Sequence, residues 1–265
     1  MTVSRMLAYS SARARTWAQA AAPALRAEFA ALARVHRDGW GAASIRDGEV
    51  RADGSPAPWD ADAAAAVDAA PPAVHAMLYL RFASAGAAVN AANAQPFTGD
   101  GLAFQHNGSL APRERALHGL APADLAGLRG TTDSEVYFRH VIAARSAVGD
   151  LPDAVARAAR SLRRRFPRAC LNAFVLDRDA LVVVHSAGSM PTPTAAFEHR
   201  GLTAPALPPA HRPADAASYH RLFARHEDGL ALIATSGIDL DGWSPLDDDA
   251  VLVFRGGVLQ REIPL

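Results

Sequence analysis

Four polar residues stand in settings where their side chains could do chemistry. Ser4 carries a hydroxyl near the start of the chain, and Arg81 is a cation within an otherwise apolar stretch. An unpaired charge in such a stretch is costly to bury, so Arg81 needs an anionic partner on the protein or on a ligand. Asn107-Gly108 alone is typical of a hairpin turn, and Asp133 precedes a helical pattern that a carboxylate could cap.

These residues belong to six short motifs. The motifs are Ser4-Arg5, Asp38-Gly39-Trp40-Gly41, Arg81, Asn93-Ala94-Gln95-Pro96-Phe97, His106-Asn107-Gly108 and Thr132-Asp133-Ser134-Glu135. Their order and spacing resemble the class II glutamine amidotransferases, a family whose catalytic nucleophile is an N-terminal cysteine. The resemblance implies the N-terminal nucleophile hydrolase fold, an α+β sandwich of four layers, α/β/β/α.

The resemblance also implies roles for individual residues. Ser4 occupies the nucleophile position, and the Asn107 side-chain amide with the Gly108 backbone N–H would form the oxyanion hole. Arg81 would bind the α-carboxylate of the substrate, and Asp133 would bind its α-ammonium group; a structural salt bridge and a helix cap are the respective alternatives. Further substrate-binding residues are expected at Asn93, Gln95 and Thr132. Supporting residues near the site are expected at Arg5, Asp38, Gly39, Trp40 and Phe97.

Three features depart from the family pattern. A serine hydroxyl at position 4 is a weaker nucleophile than a thiol, although serine serves other N-terminal nucleophile hydrolases. Met1-Thr2-Val3 stand in front of it and would block the α-amine that acts as the base unless they are removed. Gln95 replaces a histidine, which removes a titratable group beside the pocket.

These departures leave three hypotheses open. Ser4 could be exposed by cleavage and hydrolyse the side-chain amide of glutamine or of a γ-glutamyl metabolite. The chain could instead be an inactive homologue that binds a glutamine-like ligand or a partner subunit. Ser4 could also be a replacement of cysteine in an otherwise active enzyme.

Composition limits the function classes. The 265 residues include 27 Lys plus Arg and 27 Asp plus Glu, so no charge excess favours nucleic acid or an anionic membrane surface. The single cysteine, Cys170, permits no internal disulfide and is expected to be a buried, inert thiol. The sequence lacks a signal-like start, a membrane-spanning run and metal-ligand spacing. We expect a cytoplasmic protein with a small-molecule substrate, no cofactor and, as its possible partner, a separate ammonia-accepting synthase.

The hydrophobic pattern is typical of a mixed α/β domain, and alone it leaves other layouts than the sandwich open. We expect one domain over residues 1–265, with a Pro-rich surface excursion, without regular structure, over 190–214. A helix is predicted over 17–36, a hairpin over 40–51 that turns at Asp47-Gly48, and two successive helices over 133–147 and 152–165. The remaining predicted strands are 5–10, 74–84, 102–106, 170–177, 180–186, 219–225, 230–236, 250–255 and 258–263.

Overall fold

The computed structural model describes residues 4–84, 86–202 and 219–265. Its strands are β1 (Arg5–Arg15), β2 (Trp40–Arg46), β3 (Glu49–Ser55), β4 (Ala73–Leu80), β5 (Phe97–Gly99), β6 (Leu102–Gly108), β7 (Leu171–Leu176), β8 (Leu181–His185), β9 (Leu222–Glu227), β10 (Leu230–Thr235), β11 (Ser244–Pro245), β12 (Ala250–Arg255) and β13 (Val258–Pro264). Its helices are α1 (Trp17–Ala20), α2 (Pro23–Ala31), α3 (Ala61–Asp68), α4 (Arg113–Leu117), α5 (Pro122–Ala126), α6 (Asp133–Val148), α7 (Leu151–Arg165) and α8 (Thr194–His199), with short 3₁₀ turns at Leu32–Arg34 and Ala91–Asn93.

The first sheet has the strand order β11-β9-β10-β1-β4-β2-β3. Strand β1 lies inside this sheet and pairs antiparallel with both β4 and β10. Arg5 is opposite Leu80 in the register of β1 and β4. The start of β1 therefore lies beside the end of β4, which brings Ser4 next to the residues that follow Leu80.

The second sheet has the order β13-β12-β8-β7-β6-β5. Strand β6 pairs antiparallel with β7, with Asn107 opposite Asn172 and Gly108 opposite Leu171. Successive side chains of a strand point to opposite faces, so each sheet can pack on both sides. In β1, Met6 and Ala8 pack toward the other sheet, whereas Leu7 and Tyr9 pack toward the helices α1 to α3.

Three buried layers hold the sandwich together. One cluster lies between the first sheet and α1 to α3, a second lies between the two sheets, and a third lies between the second sheet and the pair α6 and α7. The predicted α/β/β/α sandwich is confirmed. No helix in the described ranges is long and apolar enough to cross a membrane.

Two predicted segments differ from the structure. The helix predicted over 17–36 is wrong as one element, because α1 ends at Ala20 and α2 begins at Pro23. Proline lacks a backbone N–H and so starts a helix more readily than it continues one. The Pro-rich excursion over 190–214 contains the regular helix Thr194–His199, so the prediction that it lacks regular structure is wrong there; its residues 203–214 lie outside the described ranges.

The helix α6 positions the family-like motif at its own start. The Thr132 side chain accepts a hydrogen bond from the Glu135 N–H at 3.2 Å and caps the helix. The Glu135 carboxylate in turn accepts from the backbone N–H groups of Arg129 and Gly130, at 2.7 and 2.8 Å. Because Thr132 is the cap, the carboxylate of Asp133 is available for other contacts.

Candidate active site

A cavity of about 460 Å³ opens at the end of the sandwich where β1 begins and where β4 and β6 end. The start of α6 forms its remaining wall. The predicted site residues that line this cavity are Ser4, Arg81, Gln95, Gly108, Thr132 and Asp133. Residues that are separated by more than a hundred positions in the sequence therefore meet in one place.

Ser4 is buried, with 5% of its surface exposed, and its hydroxyl is held by two neighbours. The Tyr79 hydroxyl lies 2.6 Å from Ser4 Oγ, and the Phe82 backbone N–H donates to the same oxygen at 3.2 Å. Both neighbours come from the end of β4 and the segment after it. Residues 1–3, on which the question of a free α-amine depends, lie outside the described ranges.

Arg81 is a buried cation with one unused donor. The strand β4 ends at Leu80, so Arg81 directly follows the apolar strand in which we expected it. Its Nη2 donates to the Ala88 carbonyl at 3.1 Å, whereas Nη1 is buried and has no hydrogen-bond partner among the described residues. None of the ion pairs found in those residues includes Arg81. An anionic ligand in the cavity would supply the missing partner.

Asp133 presents a carboxylate to the cavity from the first turn of α6. Its Oδ2 accepts from the Leu110 N–H at 2.5 Å, while Oδ1 has only a long contact of 3.5 Å with the Ser134 hydroxyl. One carboxylate oxygen is thus fixed by the protein and the other is nearly unpaired. The arrangement suits a cationic group of a ligand.

Asn107 and Gly108 lie within β6 rather than in a hairpin turn. A Cβ added at Gly108 would lie 1.9 Å from the Cys170 carbonyl oxygen, so only glycine fits there. Asn107 is 1% exposed, and neither atom of its side-chain amide has a hydrogen-bond partner in the described part of the chain. The turn interpretation is wrong. Gly108 lines the cavity, whereas Asn107 is not among the described residues that line it.

Gln95 is tied to the strands on both sides. Its Oε1 accepts from the His106 backbone N–H at 2.6 Å, and its Nε2 donates to the Tyr79 hydroxyl at 2.9 Å and to the His106 carbonyl at 3.3 Å. Asn93 is equally occupied, since it bonds Ala88 and both the backbone and the hydroxyl of Thr131. Asn93 is not among the described residues that line the cavity.

The expected supporting residues are not among the described residues that line the cavity. Asp38 accepts from the Ala83 N–H and forms a salt bridge with Arg200, both at 2.7 Å. Gly39 has a φ of 129°, and a Cβ there would lie 2.7 Å from the Ser55 carbonyl. Trp40 packs edge-on against Trp59.

Arg5 and Phe97 lie in different layers. The Arg5 guanidinium lies 4.2 Å from the centre of the Tyr219 ring, and its Nη1 donates to the Ser4 carbonyl at 3.0 Å. Burial lowers the pKa of Arg5. Phe97 packs in the core between the second sheet and α6 and α7.

Three side chains that touch the site, those of His106, Ser134 and Tyr79, had no predicted role there. The His106 ring contacts the Cys170 carbonyl through Nε2 at 3.1 Å and the Ser134 hydroxyl through Nδ1 at 2.9 Å. A carbonyl only accepts, so Nε2 carries the proton; burial lowers the pKa of His106 and keeps the ring neutral. The third residue, Tyr79, stands two positions before Arg81, and the alternation of a strand could have indicated it.

Cys170 is fully buried, as expected, its thiol donates to the Asn107 carbonyl, and burial raises its pKa to about 12. Among the described residues there is no group of three or more His, Cys, Asp or Glu that could hold a metal ion.

One known protein family matches most of this chain. The family model of the class II glutamine amidotransferases matches residues 24–264. The chain belongs to this family. The match begins after Ser4, so the serine at the nucleophile position is a feature of this chain that the family match leaves open. Comparison with the curated proteins gave no match.

Solved structures similar to this amidotransferase-family chain share its fold at low sequence identity. A glutamine aminotransferase class-II domain protein from Silicibacter pomeroyi is 18% identical, with a TM-score of 0.61 and 98% of each chain covered. A predicted glutamine amidotransferase from Pseudomonas aeruginosa is 17% identical, with a TM-score of 0.52, 98% of this chain covered and 100% of that one. Glutamine phosphoribosylpyrophosphate amidotransferase from B. subtilis is 12% identical, with a TM-score of 0.64; the match covers 98% of this chain but 49% of the larger enzyme.

Proposed function

We propose that this protein hydrolyses the side-chain amide of glutamine or of a γ-glutamyl metabolite, with Ser4 as the nucleophile. One observation carries the proposal: a single cavity holds the Ser4 hydroxyl, a buried arginine with an unused donor, and a carboxylate with a nearly unpaired oxygen. An amino acid bears one anionic and one cationic group next to its side chain. The cavity offers a partner of the opposite charge for each.

Arg81 and Asp133 would fix the amino-acid end of the substrate. The unused Nη1 of Arg81 would bind the α-carboxylate, and Oδ1 of Asp133 would accept from the α-ammonium group. Thr132 would hold the start of α6 in place through its cap, while Gln95 and Asn93 would position the neighbouring segments. Holding both charges directs the γ-amide toward a third point of the cavity, where Ser4 lies.

The chemical step would use the chain's own amine as the base. After cleavage between Val3 and Ser4, the α-amine, with an ordinary pKa of about 7.7–8.0, takes the proton of the Ser4 hydroxyl. Oγ then bonds to the amide carbon, and the resulting oxyanion accepts hydrogen bonds from the Gly108 N–H and the Asn107 amide. The protonated amine returns its proton to the leaving nitrogen, which departs as ammonia or as an amine. Water hydrolyses the remaining γ-glutamyl ester and releases glutamate and Ser4.

The chain spans about half the length of the B. subtilis enzyme, whose name includes phosphoribosylpyrophosphate. We propose that the released ammonia passes to a separate synthase or leaves as a product.

Ammonia release from glutamine and from γ-glutamyl amides tests the proposal. The intact mass first identifies the N-terminal residue, and the protein that begins with Ser4 is then assayed beside the full-length protein, Ser4→Ala and Ser4→Cys. We expect turnover only when residue 4 is at the N-terminus, its loss in Ser4→Ala, and faster turnover in Ser4→Cys. The matched control is Ser189→Ala, a serine outside the cavity.

A folded protein that begins at position 4, with the native serine or with the Ser4→Cys change, and that binds glutamine without releasing ammonia would contradict the proposal. That result would favour the second hypothesis, a homologue that binds a glutamine-like ligand. Isothermal titration of glutamine into the same samples separates the two outcomes.

A further inference from the structure

The Ser4 hydroxyl stands at the end of a directed chain of hydrogen bonds. Its direction is fixed at the other end, by the backbone of His106. The His106 N–H can only donate, so the side-chain oxygen of Gln95 faces it at 2.6 Å. The Gln95 nitrogen must then face the Tyr79 hydroxyl and the His106 carbonyl, at 2.9 and 3.3 Å.

This orientation leaves the Tyr79 proton for Ser4. The Tyr79 oxygen accepts from Gln95, so its own proton can go either to Ser4 Oγ at 2.6 Å or to the His106 carbonyl at 3.3 Å. The shorter distance favours Ser4. Burial raises the pKa of Tyr79 to about 12, so the hydroxyl keeps its proton at neutral pH.

We propose that Tyr79 is a catalytic residue that donates a hydrogen bond to Ser4 Oγ and stabilises the negative charge that develops there, and that Gln95 is the positioning residue that keeps Tyr79 a donor. This inference rests on the proposed function. With the Phe82 N–H as a second donor, Ser4 Oγ accepts two hydrogen bonds and directs its own proton away from both.

The physical effect concerns the step in which Ser4 loses its proton. The Ser4 O–H bond breaks as the proton moves to the α-amine, and the electron pair of Oγ forms the bond to the amide carbon. Tyr79 does not transfer its proton; its hydrogen bond strengthens while charge is on Oγ and weakens once the ester forms. Fixed donors of this kind around a developing oxyanion contribute about 10²- to 10³-fold to kcat.

Tyr79→Phe, assayed in the protein that begins with Ser4, tests the inference. We expect kcat to fall about 100-fold with KM changed less than about 3-fold, because the donor contacts the nucleophile rather than the substrate. The matched control is Tyr137→Phe. Tyr137 is equally buried, but its hydroxyl has no hydrogen-bond partner in the described ranges, so the control should keep its kcat.

The Ser4→Cys background separates a chemical role from a structural one. A thiol, with an ordinary pKa of about 8.5, ionises far more readily than a hydroxyl and needs less help from a donor. Tyr79→Phe should therefore cost less than about 10-fold in kcat when residue 4 is cysteine. Gln95→Leu should reproduce part of the Tyr79→Phe loss with serine, and the double variant should lose no more than Tyr79→Phe alone.

An equal loss of kcat with serine and with cysteine, or no loss with serine, would overturn the role of Tyr79 while the proposed function stands. Additive losses in the Tyr79→Phe and Gln95→Leu pair would overturn the role of Gln95. Absence of turnover in every parent protein, with serine or cysteine at position 4, would overturn the proposed function and this inference with it.

Discussion

Two sets of buried polar groups belong to residues that line the cavity or directly adjoin its lining residues in sequence, and they differ in how their hydrogen bonds are satisfied. The tethered network consists of Ser4, Tyr79, Gln95 and the backbone of His106, whose polar atoms bond one another. The open pair consists of Arg81 Nη1 and the side-chain amide of Asn107, which have no partner in the described ranges. Buried polar groups in proteins are nearly always paired. The tethered network therefore holds the nucleophile in place, and the open pair marks where a ligand would supply the missing partners.

Replacement of Arg81 should have the largest effect on activity. A small effect would contradict the distinction between the tethered network and the open pair. Arg81→Gln removes the charge that would bind the α-carboxylate, and we expect kcat/KM for ammonia release to fall about 10³-fold. The same change removes an incompletely paired buried charge, so the free energy of unfolding without ligand should stay within about 1 kcal/mol of the unaltered protein. Steady-state kinetics and urea unfolding measure the two quantities.

Arg26→Gln is the control for Arg81→Gln, because Arg26 forms a partly exposed ion pair with Asp68 outside the cavity. It should keep its kcat/KM. Arg81→Gln could instead unfold the protein but leave glutamine turnover intact per folded molecule. Arg81 would then be a structural residue, and its unpaired Nη1 would not indicate a ligand site.

Two asparagines provide the next contrast. Asn107→Ala removes an open amide and should lower kcat about 10²-fold, with little change in stability. Asn93→Ala removes an amide that makes three hydrogen bonds, to Ala88 and Thr131, and should cost about 2 kcal/mol of stability. Thermal and urea unfolding measure stability, and kcat is measured at a temperature where both variants are folded. Asn107→Ala should lose mainly kcat and Asn93→Ala mainly stability. Equal losses of both quantities in the two variants would contradict the distinction between open and tethered amides.

The smallest effect concerns a buried group outside the cavity. Burial lowers the pKa of His75 to about 4, below its ordinary value of 6.5, so the unfolded chain binds the proton first as pH falls. Stability is therefore lost as pH drops through the window from about 6.5 to about 4. Between pH 7 and 5.5 this histidine should cost about 1 kcal/mol.

His75→Gln should reduce that pH dependence of urea unfolding, whereas replacement of the exposed His118 should leave it unchanged. An identical slope in His75→Gln would show that His75 is not the group responsible. His75 Nδ1 has no hydrogen-bond partner in the described residues, and His75 does not line the cavity. This test therefore also measures how an unpaired buried atom outside the site affects the free energy of unfolding.

Local sequence signals were sufficient where a short segment determines its own structure. The hairpin of β2 and β3 turns at Asp47 and Gly48, which both have positive φ, at 52° and 73°. An Asp-Gly pair favours that geometry, so the turn could be predicted. The helix α6 begins where its polar motif predicted, although the cap is Thr132 rather than Asp133 or Ser134.

Local signals failed where a neighbour in space decides. Asn107-Gly108 resembles a turn, but β7 pairs with it and makes it part of a strand. Pairing and packing across the sandwich override a short-range preference. The break between α1 and α2 is a different case, because Pro23 is itself a local signal that the prediction of one helix over 17–36 overlooked.

The sequence by itself determined the family resemblance and the residue types of the cavity, because the order and spacing of the motifs are properties of the chain alone. The four-layer fold followed from that resemblance, since the hydrophobic pattern alone left other layouts open. The tertiary structure decided which of those residues are tethered and which are open. Gln95 and Asn93 carry the same amide group as Asn107, but strands and loops distant in sequence supply partners to the first two and none to the third within the described ranges. A hydrogen bond depends on distance and direction between two groups, and only the folded chain sets both.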